Sequence, residues 1–231
     1  MNQIHILSGG AAKGLVSQLE AQCLAQTHCT VNGTYGAVGL MKDQLLAGAP
    51  CDVLILTQAL IEQLTASGEV VPGTAHALGL VKTGVAVKTG EPQPKVDTAA
   101  GLKTTLLAAT GIYFPDPAKA TAGIHFMKVL QALGIDKELA PRLRVFPNGA
   151  TAMGEMAKST ETGLVGCTQV TEILYTGGVQ LVSVLPKEFE LATIYTAAVC
   201  TKAAQPLAAA ALIKLLISPE AAELRRLGGF E

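Results

Sequence analysis

Short apolar runs alternate along this chain with longer stretches in which apolar residues recur every three or four positions. Residues 4–7 read as a buried strand, after which Leu15, Leu19 and Cys23 mark one face of a helix. Residues 30–34 predict a second strand. The helix predicted over residues 37–46 carries Val38, Met41 and Leu45 on one side and stops at Gly48-Ala49-Pro50, where proline cannot continue it. Residues 53–56 then return to strand. Leu60, Ile61 and Leu64 form a third helical face ending near Gly68, residues 77–87 read as extended, and Glu91-Pro92-Gln93-Pro94 is a polar break.

The second half repeats the alternation. Residues 110–114 predict a strand, Asp116-Pro117 a turn, and a helix beginning at Ala122-Gly123 carries Ile124, Met127, Leu130 and Leu133. After a short extended piece at Val145-Phe146, Ala152, Met153, Met156 and Ala157 give another helix. Residues 163–166 read as a central strand, and Thr168 as the opening of a helix bearing Val170, Ile173 and Leu174. Strands at 179–184 and 192–200 precede a helix over 204–217 whose apolar face includes Leu207, Ala211 and Leu215, and Pro219 stands where a last helix would begin. Strands alternating with helices predict an α/β protein with mainly parallel sheets flanked by helices. Two extended crossings, near residues 81–87 and 191–197, divide it into a first lobe of residues 1–83 with 195–231 and a second of 84–194, with a ligand cleft expected between them.

Composition narrows the function. Nearly half of the 231 residues are hydrophobic, 49%, but 4% are aromatic and tryptophan is absent, so the core is built from Ala, Val, Leu and Ile, as buried parallel strands require. With 17 basic against 18 acidic side chains there is no net field to draw nucleic acid or an anionic membrane, and no basic stripe with interleaved aromatics. Cys23, Cys29, Cys51, Cys167 and Cys200 are scattered, without metal-ligand spacing, and read as small buried hydrophobes. Cys23 and Cys29 can bridge only in an oxidising compartment and with suitable geometry. No apolar run reaches membrane-spanning length, and Met1-Asn2-Gln3 leads directly into the first strand. The expected location is the periplasm if a signal was removed, and the cytoplasm if Met1 is the native start.

A family resemblance rests on several motifs together. They are Ile4-His5-Ile6-Leu7 followed by a small-residue loop, Gly48-Ala49-Pro50-Cys51-Asp52-Val53, Asp116-Pro117 before Ala122-Gly123, Gly163-Leu164-Val165 leading to a helix, and Ser218-Pro219-Glu220-Ala221-Ala222-Glu223 before Gly228-Gly229-Phe230. Over nearly its whole length the chain resembles the substrate-binding proteins of molybdate-type ABC transporters, within the bilobal, type II periplasmic binding proteins. The resemblance implies a small anionic ligand held between two lobes and an ABC permease as partner; the sequence carries no cofactor or metal motif. Members that bind molybdate present serines after the first and second strands and a tyrosine after the strand matching residues 163–165. Here those positions are Ala11, Ala37 with Val38, and Gly166. Each buried partner left unmet costs about 1 to 3 kcal/mol, so the altered pocket argues for an oxyanion or carboxylate other than molybdate.

The ligand-binding residues expected from these loops are Ser8, Gly9, Gly10, Ala11, Lys13, Tyr35, Gly36, Ala37, Ala122, Gly123, Asn148, Thr151, Thr168 and Gln169. Lys13 at the start of the first helix adds a cation to the helix dipole, an arrangement that suits a carboxylate; it is equally read as a solvated lysine. Asp52 belongs to the turn motif and is expected to bond backbone rather than to act in catalysis. Glu155, Lys158 and Glu172 are expected on solvated helix faces. Two functions follow: a solute-binding protein, or a cofactor-free isomerase that moves a proton within an unsaturated di- or tricarboxylate of the aconitate type. For the latter, Lys13 and His125 are the candidate proton-transfer groups.

Overall fold

The computed structural model describes residues 2–231. The chain opens with β1 (Asn2–Gly9), α1 (Lys13–Thr27), β2 (Cys29–Gly36), α2 (Val38–Leu46), β3 (Val53–Thr57), α3 (Gln58–Ala66) and β4 (His76–Lys88). It continues through α4 (Ala99–Ala108), β5 (Gly111–Pro115), α5 (Thr121–Ala132), α6 (Asp136–Leu139), β6 (Leu143–Phe146) and α7 (Gly149–Lys158). Next come β7 (Leu164–Gln169), α8 (Val170–Tyr175), β8 (Val179–Val184), β9 (Ala192–Val199), α9 (Pro206–Leu216) and α10 (Ala222–Leu227). Two compact units result, Met1–Val81 with Thr193–Glu231 and Lys82–Ala192, so the chain changes unit within β4 and again at the start of β9.

In the first unit the strand order is β2-β1-β3-β9, with β2, β1 and β3 parallel and β9 antiparallel to β3. Ile4, Ile6, Val53, Leu54, Ile55, Leu56, Ala197 and Ala198 are fully buried, as expected where helices cover both faces of a sheet. Asp52 has the structural role expected of it. One carboxylate oxygen accepts the His5 N–H at 2.7 Å and the other the Gln205 N–H at 2.8 Å, tying β1, β3 and the approach to α9 together. Cys23 and Cys29 are buried and free, and Cys51 and Cys200 touch through their sulfurs at 3.3 Å. Leu207 departs from expectation: it is 87% exposed, and α9 packs through Ala209, Leu212, Ile213, Leu215 and Leu216. Leu207 stands beside Pro206 in the first turn, before the helix meets the core.

In the second unit β7 lies between β4 and β5, and β6 pairs with β5; β5, β6 and β7 are parallel, while β4 runs antiparallel to both β7 and β8. Alternation along β7 sends Val165 and Cys167 to the face covered by α4 and α5, where they join Phe114, Phe126 and Leu130. Leu164 goes to the other face, with Met153 and Met156 of α7. Two features differ from the sequence expectation. Helix α4 lies in a stretch with no predicted element; its Gly101 and paired threonines blur the apolar face, and Thr98 caps it by accepting the Gly101 N–H at 3.1 Å. Strand β7 runs on through Gln169, so Thr168 is a strand residue rather than the start of a helix. No helix among the described residues is long and apolar enough to cross a membrane.

Candidate functional site

Parallel strands leave their carboxyl ends and the following helix N-termini along one edge of a sheet, where ligands of α/β proteins bind. In the first unit this edge carries the loops after β1 and β2, whose last residues, Gly9 and Gly36, are register partners. Ser8 is fully buried and donates to the Gly9 carbonyl at 2.8 Å. A Cβ on Gly9 would stand 2.9 Å from both Tyr195 and Val38, which explains the glycine by packing alone. Gly10, Ala11 and Ala12 make one 3-10 turn into α1, and Lys13, the half-buried first residue of that helix, donates its backbone N–H to the Gly10 carbonyl. The Tyr35 ring folds over Gly33, within 2.5 Å of where a Cβ would be. Ala37 is the N-cap of α2 and offers no side-chain cap, so the N–H groups of Val38, Gly39 and Leu40 have no acceptor within the helix.

The same edge of the second unit carries the starts of α5, α7 and α8. Asp116 folds the loop after β5, its Oδ1 accepting the N–H groups of Ala118 at 2.6 Å and Lys119 at 3.1 Å. Helix α5 then begins after Ala120, again without a side-chain cap, so the N–H groups of its first turn, Thr121, Ala122 and Gly123, have no acceptor within the helix. Gly123 packs against the carbonyl oxygens of Pro115 and Asp116 so closely that any Cβ would collide with them. His125, half-buried, donates from Nε2 to the Phe189 carbonyl at 2.8 Å.

The start of α7 is filled from within the protein. Asn148 accepts the Thr151 N–H on Oδ1 at 2.8 Å, and the Glu172 carboxyl accepts from the N–H groups of Gly149 and Ala150. Glu172 was expected on a solvated face; it is instead 6% exposed. It also takes the Thr168 hydroxyl at 2.5 Å and the Gln169 N–H, and burial pushes its carboxyl above the ordinary range against the pull of those bonds. Glu155 and Lys158 do lie on the exposed side of α7, paired at 2.8 Å. The signal for Glu172 is its position three residues after the α8 N-cap Gln169, where a glutamate reaches back to the cap N–H.

Gln169 ends β7 at 2% exposure with both amide atoms unpartnered. Thr83, opposite it on β4, and Thr171 are likewise buried with unpartnered hydroxyls, and neither was among the residues expected from sequence. A Cβ at Gly166 would press on the Met153 methyl at 2.5 Å, so the core of this unit fills the position at which molybdate-binding members carry a tyrosine. A separate cavity of about 450 Å³, lined by Val87, Pro92, Pro94, Ala108 and Val165 among others, holds none of the candidate residues. No cluster of potential metal ligands occurs among the described residues.

Comparison with known proteins agrees with this architecture. A Pseudomonas protein named aconitate isomerase is 28% identical over 184 residues, which cover 79% of this chain and 68% of that one. The periplasmic molybdate-binding protein of Azotobacter vinelandii superposes with a TM-score of 0.80 at 19% identity, covering 99% of this chain and 98% of that one. The sulfate-binding protein SubI of Mycobacterium tuberculosis does so at 0.75 and 17%, covering 100% and 86%. The fold is thus the two-lobed α/β fold of periplasmic binding proteins. The model of the family described as bacterial extracellular solute-binding protein matches residues 4–231, and the chain belongs to that family.

Proposed function

We propose that this solute-binding protein captures a small organic carboxylate, recognised by the uncapped start of α5 and by Gln169. The observation that carries the reading is Gln169, almost wholly buried with neither amide atom bonded, on the sheet face that α5 covers. A buried amide in that state costs about 1 to 3 kcal/mol for each unmet group, and a polar ligand removes that cost. Helix N-termini supply anion-directed N–H groups without a metal. Alanine at 11 and 37 and glycine at 166 supply no hydroxyls, which disfavours molybdate. Delivery to an ABC permease is the role that accompanies this reading.

Isothermal titration with mono-, di- and tricarboxylates, sulfate and molybdate tests it. Carboxylate binding weakened about tenfold to a hundredfold by Gln169→Ala, the scale of one hydrogen bond to a charged group, is the expected result, with Lys82→Ala nearly silent. Absence of heat with every anion, or submicromolar molybdate affinity, overturns it.

The relative named aconitate isomerase favours a second reading, proton transfer within an unsaturated tricarboxylate. A base would take a proton from a methylene carbon, the electron pair would move through the adjacent double bond, and the proton would return to the far carbon. His125 keeps Nδ1 available for such a step, since only Nε2 is engaged by Phe189. Incubation with cis- or trans-aconitate in deuterated water should then give isomerised, deuterated product, lost in His125→Gln if that residue is the base. Tight binding with no exchange leaves capture alone.

A further inference from the structure

Resting on the reading that an organic anion is held at the start of α5, we infer that Gln169 and Thr83 form a specificity pair that recognises a hydroxyl on that anion, so that the preferred ligand class is a hydroxycarboxylate.

The two residues face each other directly in the antiparallel ladder of β4 and β7. Directly opposed residues project to the same face with Cβ atoms about 5 Å apart. The next pair inward is Val85 and Cys167, which belong to the cluster containing Phe126 of α5. Thr83 and Gln169 therefore prolong that row by one step at the carboxyl end of β7, on the face α5 covers. That helix starts against the carbonyls of Pro115 and Asp116, which end the neighbouring strand. Backbone groups here are already committed: the Thr83 N–H donates to Leu191, its carbonyl accepts from Leu185, each at 3.0 Å, and the Gln169 N–H goes to Glu172. Only side-chain atoms remain, Thr83 Oγ1 and Gln169 Nε2 and Oε1, at 1% and 2% residue exposure.

These atoms fix the chemistry. Gln169 Nε2 donates and suits a carboxylate oxygen, but Oε1 can only accept. Sulfate, molybdate and a fully ionised carboxylate bring acceptors alone and leave Oε1 unpaired in a buried setting. A hydroxyl beside the carboxylate donates to Oε1 and can accept from the Thr83 hydroxyl, pairing all three atoms. Sites that hydrogen-bond a substrate hydroxyl reject the analogue lacking it far more strongly than a site discriminates a methylene.

Matched ligands test this with little change in size or charge: each enantiomer of malate against succinate, and citrate against tricarballylate, by isothermal titration. The hydroxylated member of at least one pair is expected to bind at least tenfold more tightly. The preference should shrink to below threefold in the nearly isosteric Thr83→Val and in Gln169→Leu, with the affinity of the deoxy ligand preserved in Thr83→Val. Equal affinity within both pairs, a preference that survives both substitutions, or aconitate bound more tightly than citrate overturns this inference while leaving carboxylate capture intact. No heat with any anion overturns both.

Discussion

Helices α5 and α7 follow adjacent parallel strands of one sheet, yet their first turns are treated in opposite ways. At α7 every N–H of the first turn is consumed within the protein, by Asn148 and by the buried Glu172. At α5 the cap residue is alanine and the corresponding groups are left open, as they are at α2 after Ala37. Helices α3 and α4 resemble α7, with Thr57 and Thr98 as caps. A side-chain cap contributes about 1 kcal/mol, so its presence at α7 and absence at α5 separates, within one sheet edge, a helix start that stabilises the fold from one that a ligand can complete.

The sharpest way to break the contrast is to crowd the closed end. Gly149→Ala would drive a methyl into Thr168 and Glu172, so unfolding by urea should show a loss of about 3 kcal/mol or more. Gly154→Ala on the same helix meets nothing and should instead gain about 0.5 to 1 kcal/mol. Glu172→Ala comes next, with about 2 to 4 kcal/mol lost, because it strands the Thr168 hydroxyl and the N–H groups of Gly149, Ala150 and Gln169.

Glu172 also sets a pH dependence. A carboxyl raised by burial binds its proton more tightly folded than unfolded. Its contribution to stability is therefore full below the ordinary glutamate value of about 4.3 and lost as pH rises through the folded value. The stability of the native protein relative to Glu172→Gln should fall across that rise in paired urea titrations; a difference independent of pH contradicts the direction. The smallest effect is expected from converting the open end into a closed one. Ala120→Ser should add about 0.5 to 1 kcal/mol of stability through a new cap and weaken anion binding, whereas Asn148→Ala should cost about 1 kcal/mol and leave binding unchanged.

The open and closed ends were not equally legible. Turn chemistry announces β1, α2 and β3, because Gly48-Ala49-Pro50 can only end a helix and Asp52 bonds the backbone on both sides of it. Of the candidate site, Ala37, Ala122 and Gln169 fall at strand-to-helix junctions that the alternation of strand and helix already marks. Glu172 escaped because a lone glutamate two residues after Val170 on a short helix reads as solvent-facing; its burial follows from β7 running on to Gln169, which turns the carboxyl toward Gly149. Thr83 escaped for a related reason. It follows Lys82 in a strand that is otherwise mostly apolar, and only the pairing of β4 with β7 puts it opposite Gln169. Helix α4 lacked a clean face, and Leu207 satisfied a periodicity that the core does not use.

The contact between Gly149 and Glu172 constrains how such a chain can diverge. With glutamate at 172, any side chain at 149 collides with the carboxyl, and with glycine at 149, a shorter residue at 172 leaves the helix start unpaired. Neither position can drift alone without passing through a destabilised intermediate. The two residues constrain each other, and a descendant that opened α7 to a second anion would have to change both, the order of substitution being set by which half-step the rest of the fold can tolerate.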